Sequence, residues 1–252
     1  MPFNPNDFFV GGFTPNDGTI DFYLRVKSLI NDDDIVLDFG AGRGAWFDDD
    51  KNPTRRDIRL LKGKVKKVIA ADIDKAVFNN KASDEQIIIT KNKLDIEKES
   101  IDLVISDYVL EHINDTSNFF EQINFCLKSG GWLCGRTPYK YSYVSIGNSI
   151  FDFLGINGLI KYIQPDRKEE DIFPTEYKLN TLKDINKCFK GWDNRSFIFR
   201  AEPAYYFNNK LIYSIQKFLH RLFPSFLCGN IFLFIQKPTK KNTSDNLEKN
   251  IT

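Results

Sequence analysis

Histidine is scarce in this chain, with only His112 and His220 among its 252 residues. Any step that needs imidazole must use one of these two, and no metal site built on several histidines is expected. The four cysteines, Cys126, Cys134, Cys188 and Cys228, lie too far apart for a CxxC metal or redox motif. They read as reduced, buried thiols. Charge of one sign is also lacking. The formal net charge is +1, so no global field draws in nucleic acid, and no nucleic-acid partner is expected. No run of about 18 uninterrupted apolar residues exists, so no spanning helix is expected. The nearest approach, Val144 to Ile163, is broken by Asn148, Asp152, Asn157 and Lys161. The opening residues, MPFNPNDFFVGGFTPNDG, hold no basic stretch followed by an apolar one, which argues against a secretory signal and for the cytoplasm.

What is present is ordinary globular composition, with 42% hydrophobic and 27% charged residues. There is no internal repeat and no low-complexity linker. Residues 1–236 read as one domain. Within it, 1–30 form an N-terminal cap helix region, 140–180 a cap insertion and 200–229 a helical insertion. Residues 237–252 (KPTKKNTSDNLEKNIT) read as a disordered polar tail. Short apolar runs at Asp34–Phe39, Lys67–Ala71, Ile87–Thr90, Leu103–Ser106 and Trp132–Arg136 alternate with longer segments. That is the pattern of a parallel sheet covered on both faces. Arg195–Phe199 and Ile231–Gln236 supply two further strands. Leu182–Phe189 and Lys210–Leu222 read as amphipathic helices.

The strongest signal is Asp38-Phe39-Gly40-Ala41-Gly42-Arg43-Gly44, directly after the run Ile35–Leu37. Glycines let the backbone turn sharply and let a ligand approach without Cβ interference. Dinucleotide enzymes place GxGxxG at the same point, so a glycine turn alone decides little. Here the spacing is GxGxG, and the acid Asp38 stands beside the loop. A carboxylate there repels a pyrophosphate and favours a cationic ligand. A second acid, Asp72, closes the next strand, where it either accepts bonds from ribose hydroxyls or caps a helix. Asp95 follows the third strand, as a ligand contact or an exposed loop carboxylate. Ser106, Asp107 and Tyr108 end the fourth strand, on the edge where open α/β sheets bind ligands.

Four segments in this order resemble class I S-adenosylmethionine-dependent methyltransferases of the type 11-like kind. They are VLDFGAGRG (Val36–Gly44), AADID (Ala70–Asp74), DLVISDYVLEHI (Asp102–Ile113) and LKSGGWL (Leu127–Leu133). The resemblance covers residues 30 to 138 and continues more weakly to Gln236. It implies an α/β fold: a Rossmann-like doubly wound sheet of seven strands, mostly parallel, the last antiparallel, with a helical cap. It implies S-adenosyl-L-methionine as cofactor, with Asp38, Gly40 and Gly42 at its methionine end, Asp72 on the ribose and Asp95 near the adenine. Ala41, Gly44, Ile73, Ser106 and Tyr108 complete the implied cofactor contacts. One departure is visible: the stretch between Gly44 and Asp72 is longer than usual and holds Asp48, Asp49, Asp50, Arg55, Arg56 and Arg59. The segment Asp171–Thr181 is similar to one in methyltransferases encoded with bacterial cell-surface polysaccharide pathways. That likeness implies a small-molecule, sugar or glycan acceptor, including a lipid-linked saccharide.

Methyl transfer is an in-line displacement, and a hydroxyl acceptor benefits from a base that removes its proton. His112, Asp107 and Tyr139 are the candidates; His220 reads as a surface residue. His112 is otherwise a helix-end histidine bonded to backbone, the commoner arrangement. Thr175, Tyr177 and Asn180 can hold an acceptor if their segment is helical, or Pro174-Thr175 simply opens a scaffold helix. The basic run from Arg55 to Lys67 meets phosphates or is a solvated helix face. The apolar segments Ile146–Ile163 and Leu211–Leu227 pack over the site or make peripheral contact with a membrane's inner face. Nucleic-acid or protein methylation and non-catalytic cofactor binding are the rivals, and the first is disfavoured because Ser106-Asp107-Tyr108-Val109 is not a Pro-Pro-Tyr element. A nicotinamide oxidoreductase is contradicted by Asp38 and the loop spacing.

Overall fold

The computed structural model describes residues 3–90, 93–147 and 174–239. Its centre is a sheet of β1 (Ile35–Phe39), β2 (Lys67–Asp72), β3 (Glu85–Ile88), β4 (Ile101–Asp107), β5 (Leu127–Pro138), β6 (Asp193–Asn194), β7 (Phe197–Arg200) and β8 (Gly229–Gln236). The order is β3-β2-β1-β4-β5-β8, with β6 and β7 also pairing β8. Strands β1 to β5 pair parallel, and β8 runs antiparallel to β5. The doubly wound, mostly parallel fold expected from the sequence is present.

Seven strands were expected and eight are found among the described residues, for a local reason. Asp193 pairs with Gln236 and Phe197 with Phe232, so β6 and β7 keep one register along β8. They are two pieces of one strand. Between them the Phe234 amide donates to the Ser196 hydroxyl at 3.1 Å, and the regular ladder lapses there.

Period-two alternation sorts side chains onto the two faces of the sheet. Leu37, Phe39, Val104, Leu133, Ile231, Leu233 and Ile235 face one core, with Phe119, Ile123, Ile185 and Phe189. These last four come from α4 (Thr116–Cys126), α5 (Leu182–Cys188) and the residue after it. Val36, Leu103, Ile105, Cys134, Phe232 and Phe234 face the other, with Phe22, Tyr23 and Val26 of α1 (Gly18–Lys27). Phe199 stacks on Phe232 across the strand pair at 4.4 Å.

The long stretch after Gly44 folds into α2 (Trp46–Asp49) and α3 (Pro53–Arg59). Pro53 has no amide hydrogen and stands in the first turn, while Asn52 caps the Arg55 amide at 3.0 Å. A continuous helix therefore ends and restarts here. The helix α6 (Lys210–Leu222) has the expected bounds, capped by Asn209.

Two expectations need correction. Residues 174–177 are not helical, so Tyr177 and Asn180 share no helix face. Lys237 is not loose: its amide and carbonyl pair with Gly131 and Gly130, and its ammonium bonds the Leu127 carbonyl at 2.8 Å. The remaining tail (240–252) and most of the first apolar segment (148–173) lie outside the described residues. All four cysteines are free thiols, and burial pushes Cys126 up to about 12.

Candidate active site

The loop between β1 and α2 is held by two side chains. The Gly42 amide donates to Asp72 Oδ2 at 2.8 Å, and the Asp74 amide to Asp72 Oδ1 at 2.8 Å. Asn80, buried at 3% exposure, donates from Nδ2 to the Gly42 carbonyl at 3.2 Å. The close approach explains two glycines. A Cβ on Gly40, whose φ is +76°, would lie 2.3 Å from Val109 Cγ2, and one on Gly44 would lie 2.4 Å from Asn80 Oδ1. Around a Cβ on Gly42 there is open space.

Beneath the loop lies a charge network set by strand alternation. Asp38 follows Val36 by two, Asp107 follows Ile105, and Arg136 follows Cys134, so all three share the α1 face. Asp107 and Arg136 are also register partners across β4 and β5. Arg136 donates from Nε to Asp107 Oδ1 at 2.8 Å and from Nη2 to Oδ2 at 2.7 Å. Tyr23 and Arg59 add bonds to Oδ2 at 3.2 and 3.3 Å. Burial opposes ionisation of Asp107, but Arg136 overrides it and holds the carboxyl below the usual carboxylate range. Among the described residues Asp38 has no such partner. Burial pushes its carboxyl up to about 7, Asp107 and Asp72 add to the rise, and Arg59 partly offsets it.

A cavity of about 970 Å³ opens over the carboxyl ends of the strands. Gly40, Ala41, Gly42, Asp72 and Ile73 line one side; Tyr108, His112, Tyr177, Thr175 and Asn230 line the other. His112 Nδ1 lies 2.7 Å from the Pro174 carbonyl. A carbonyl only accepts, so Nδ1 carries the hydrogen of this bond, and in a neutral ring Nε2 is then the basic nitrogen.

A sequence profile described as a methyltransferase domain matches residues 17–189. The chain belongs to this methyltransferase-domain family. No curated protein matches it. Among solved structures, it resembles a chain of the complex between the Haloferax volcanii Trm112 methyltransferase activator and a methyltransferase. That match is 15% identical over 88% of this chain and 93% of the other, with TM-score 0.56. YcgJ from Bacillus subtilis matches at 15% identity over 88% and 99%, TM-score 0.53. The geranyl diphosphate C-methyltransferase of Streptomyces coelicolor, crystallised with Mg2+, geranyl diphosphate and S-adenosyl-L-homocysteine, matches at 12% over 88% and 78%, TM-score 0.51. At such identities the likeness is one of fold.

Within this methyltransferase the expected site residues divide. Gly40, Ala41, Gly42, Asp72, Ile73, Tyr108 and His112 line the cavity. Gly44, in the same loop, and Asp38, in β1, do not line it. Asp95 is exposed and outside the lining; its neighbour Leu94 is tied to Gln122 at 2.8 Å instead. Ser106 is fully buried, its hydroxyl has no hydrogen-bond partner among the described residues, and it does not line the cavity. Asp107, whose two oxygens take four donors, is poorly suited to accept a substrate proton. Tyr139 packs against the core and does not line the cavity. Asn180 bonds the Thr137 hydroxyl at 2.6 Å and the Pro138 carbonyl at 2.8 Å, as scaffold. His220 is buried at 6% exposure rather than on the surface.

Sequence reasoning missed three residues. Asn80 carries no local signal. Arg59 sits in a basic run, yet it is covered, 4.5 Å over the Trp46 ring. Arg136 reads only as a strand end. Others of that run are tied down as well: Arg55 pairs with Asp17, Lys64 with Asp57, Lys67 with Glu85, and Lys62 donates to the Ser83 carbonyl.

Proposed function

We propose that the chain transfers the methyl group of S-adenosylmethionine to a hydroxyl of a small molecule, sugar or glycan precursor. The observation that carries this reading is the single cavity joining the Asp72-anchored glycine loop to His112. The residues present fit the cofactor. Gly42 leaves room at the loop, and the raised Asp38 carboxyl suits an ammonium that would restore its charge. Each Asp72 oxygen accepts one amide and keeps capacity for a ribose hydroxyl. Arg59 beside Asp38 offers a cation to the amino acid carboxylate.

When bound, the cofactor supplies a methyl carbon already activated by its sulfonium. The chain contributes placement and a base. Asp72 and Asn80 fix the loop, Ile73 and Ile89 give an apolar wall, and His112 Nε2 takes the acceptor's proton as the oxygen attacks. Asp107 and Arg136 hold the floor rigid and take no proton.

A contact with an anionic membrane surface is the second part of this reading, and α6 supports it. Leu211, Ile215, Phe218 and Leu222 follow one face at helical spacing and are 69%, 52%, 59% and 65% exposed. The helix holds Lys210, Lys217 and Arg221 and no acid. That pattern suits a helix lying in a lipid interface.

The test is a radiolabelled methyl-transfer assay against panels of sugars, glycosides and phenols. Transfer to a hydroxyl that drops with His112→Ala supports the reading. Transfer to nitrogen, or a rate indifferent to His112, contradicts it.

A further inference from the structure

Beside the main cavity lies a second one of about 410 Å³. Its chemistry differs from that of the first. Thr14 lines it, at 3% exposure, and the Thr14 hydroxyl is buried with no hydrogen-bond partner among the described residues. A buried hydroxyl left unpaired costs stability, and a valine would fill the same space without that cost. Such a group is expected where a ligand completes its bonding.

The charged side chains on this wall are already neutralised. Arg55 bonds Asp17 at 2.9 Å and Asp50 at 3.3 Å, Arg136 bonds Asp107, and Glu202 takes Lys217 at 2.7 Å and the Tyr213 hydroxyl at 3.0 Å. The lining holds the carboxyls of Asp17, Asp50 and Glu202 against the two guanidiniums, so an anion gains nothing there. What remains are amides and hydroxyls, from Thr14, Asn6, Asn16 and Asn230, and the rings of Tyr108 and Tyr206.

Tyr108 and Asn230 line both cavities, and Asn230 Nδ2 donates to the Tyr108 hydroxyl at 2.8 Å. Tyr108 has φ of +59°, and its amide bonds the Arg136 carbonyl at 2.8 Å. This pair forms a partition between the two spaces, presenting an aromatic face and polar atoms to each.

We infer that the second cavity is a subsite for an uncharged, hydroxyl-rich group, the chemistry of a sugar ring. It holds the far part of the acceptor, while a nearer hydroxyl reaches across the Tyr108–Asn230 partition to His112. Planar amides and hydroxyls satisfy the ring's hydroxyls, and the tyrosine rings cover its apolar face. The inference rests on the methyl-transfer reading for the role of this group, but not for its binding.

Saturation-transfer NMR on the full chain with S-adenosylhomocysteine, probed with methyl glucoside, methyl mannoside, methyl galactoside and inorganic phosphate, tests it. At least one glycoside should show contact with wild type, and Thr14→Val and Asn16→Leu should each cut its affinity at least fivefold. Thr14→Val should melt no lower than wild type, and S-adenosylhomocysteine binding should not change in either variant. Glycoside signals untouched by both substitutions overturn the subsite, as does contact with phosphate and no glycoside. Should wild type bind glycosides and not S-adenosylhomocysteine, the subsite stands and the methyl-transfer reading falls.

Discussion

Asp107 and Arg136 face each other in register on neighbouring parallel strands and close a two-pronged ion pair, at 2.8 and 2.7 Å. Both side chains are about 5% exposed or less. Breaking a buried pair by removing one partner strands the other charge, at a cost of about 3–5 kcal/mol, whereas replacing both by apolar groups is often near neutral. Arg136→Met should lose that much in urea unfolding, and Arg136→Met with Asp107→Leu should recover most of it. The folded carboxyl titrates below its unfolded value, so its contribution is present above about pH 4 and lost as pH falls through the folded pKa. The single variant should therefore lose part of the acid-side slope of stability. Equal losses in the single and double variants would contradict the pairing.

Asp38 behaves in the opposite sense. Its folded pKa is raised to about 7, so the unfolded chain holds fewer protons between about pH 4 and 7, and stability falls as pH rises through that window. Asp38→Asn should raise the melting temperature at neutral pH by a few degrees. The same substitution should weaken S-adenosylmethionine binding at least tenfold. In wild type, affinity should fall by up to about tenfold per unit below pH 7, with protons released on binding. Calorimetry in buffers of different ionisation enthalpy measures that release directly. No release at pH 6.5 would remove Asp38 from the cofactor site.

Gly40 and Val109 give a steric prediction. A methyl on Gly40 meets Val109 at 2.3 Å in a backbone region that L residues rarely adopt. Gly40→Ala should lower cofactor affinity by about a hundredfold through displacement of the loop. Val109→Ala in the same chain should restore part of that loss, since the contact is relieved but the backbone strain is not. Restoration to wild-type affinity, or none, would show that only one of the two effects acts.

His112→Ala should reduce kcat by about 10²- to 10⁴-fold, the range for a positioned base, with cofactor Kd unchanged. An unchanged kcat would mean that His112 is not the base.

The α6 face should bind vesicles containing anionic phospholipid and ignore neutral ones. Phe218→Ser with Leu222→Ser should abolish sedimentation with vesicles, and salt should weaken the wild-type contact. Concentration-dependent dimerisation lost with the same pair would assign the face to a second copy instead.

These relationships were unequally visible in the sequence. Helix α6 is readable to its bounds because Asn209 caps it and its apolar residues recur at helical spacing. The glycine loop and Asp72 are equally plain, since local spacing encodes them. Asp107 misleads because its partner lies 29 positions away and meets it only through parallel register. Asn80 leaves no trace, for its role is a bond to the Gly42 carbonyl 38 residues earlier. The Arg59 side chain looks like any other in its basic run until Trp46 is seen beneath it. Local periodicity sets elements; side-chain networks between strands depend on register, which a single sequence does not display.

The central claim is that the loop held by Asp72 and Asn80 binds S-adenosylmethionine. Titration calorimetry of the full chain with S-adenosylmethionine, S-adenosylhomocysteine and NAD measures it most directly. Micromolar binding of both sulfur ligands, none of NAD, and a loss of at least tenfold in Asp72→Ala is the predicted result. Tight binding of NAD, or no binding of either sulfur ligand by folded protein, would contradict it.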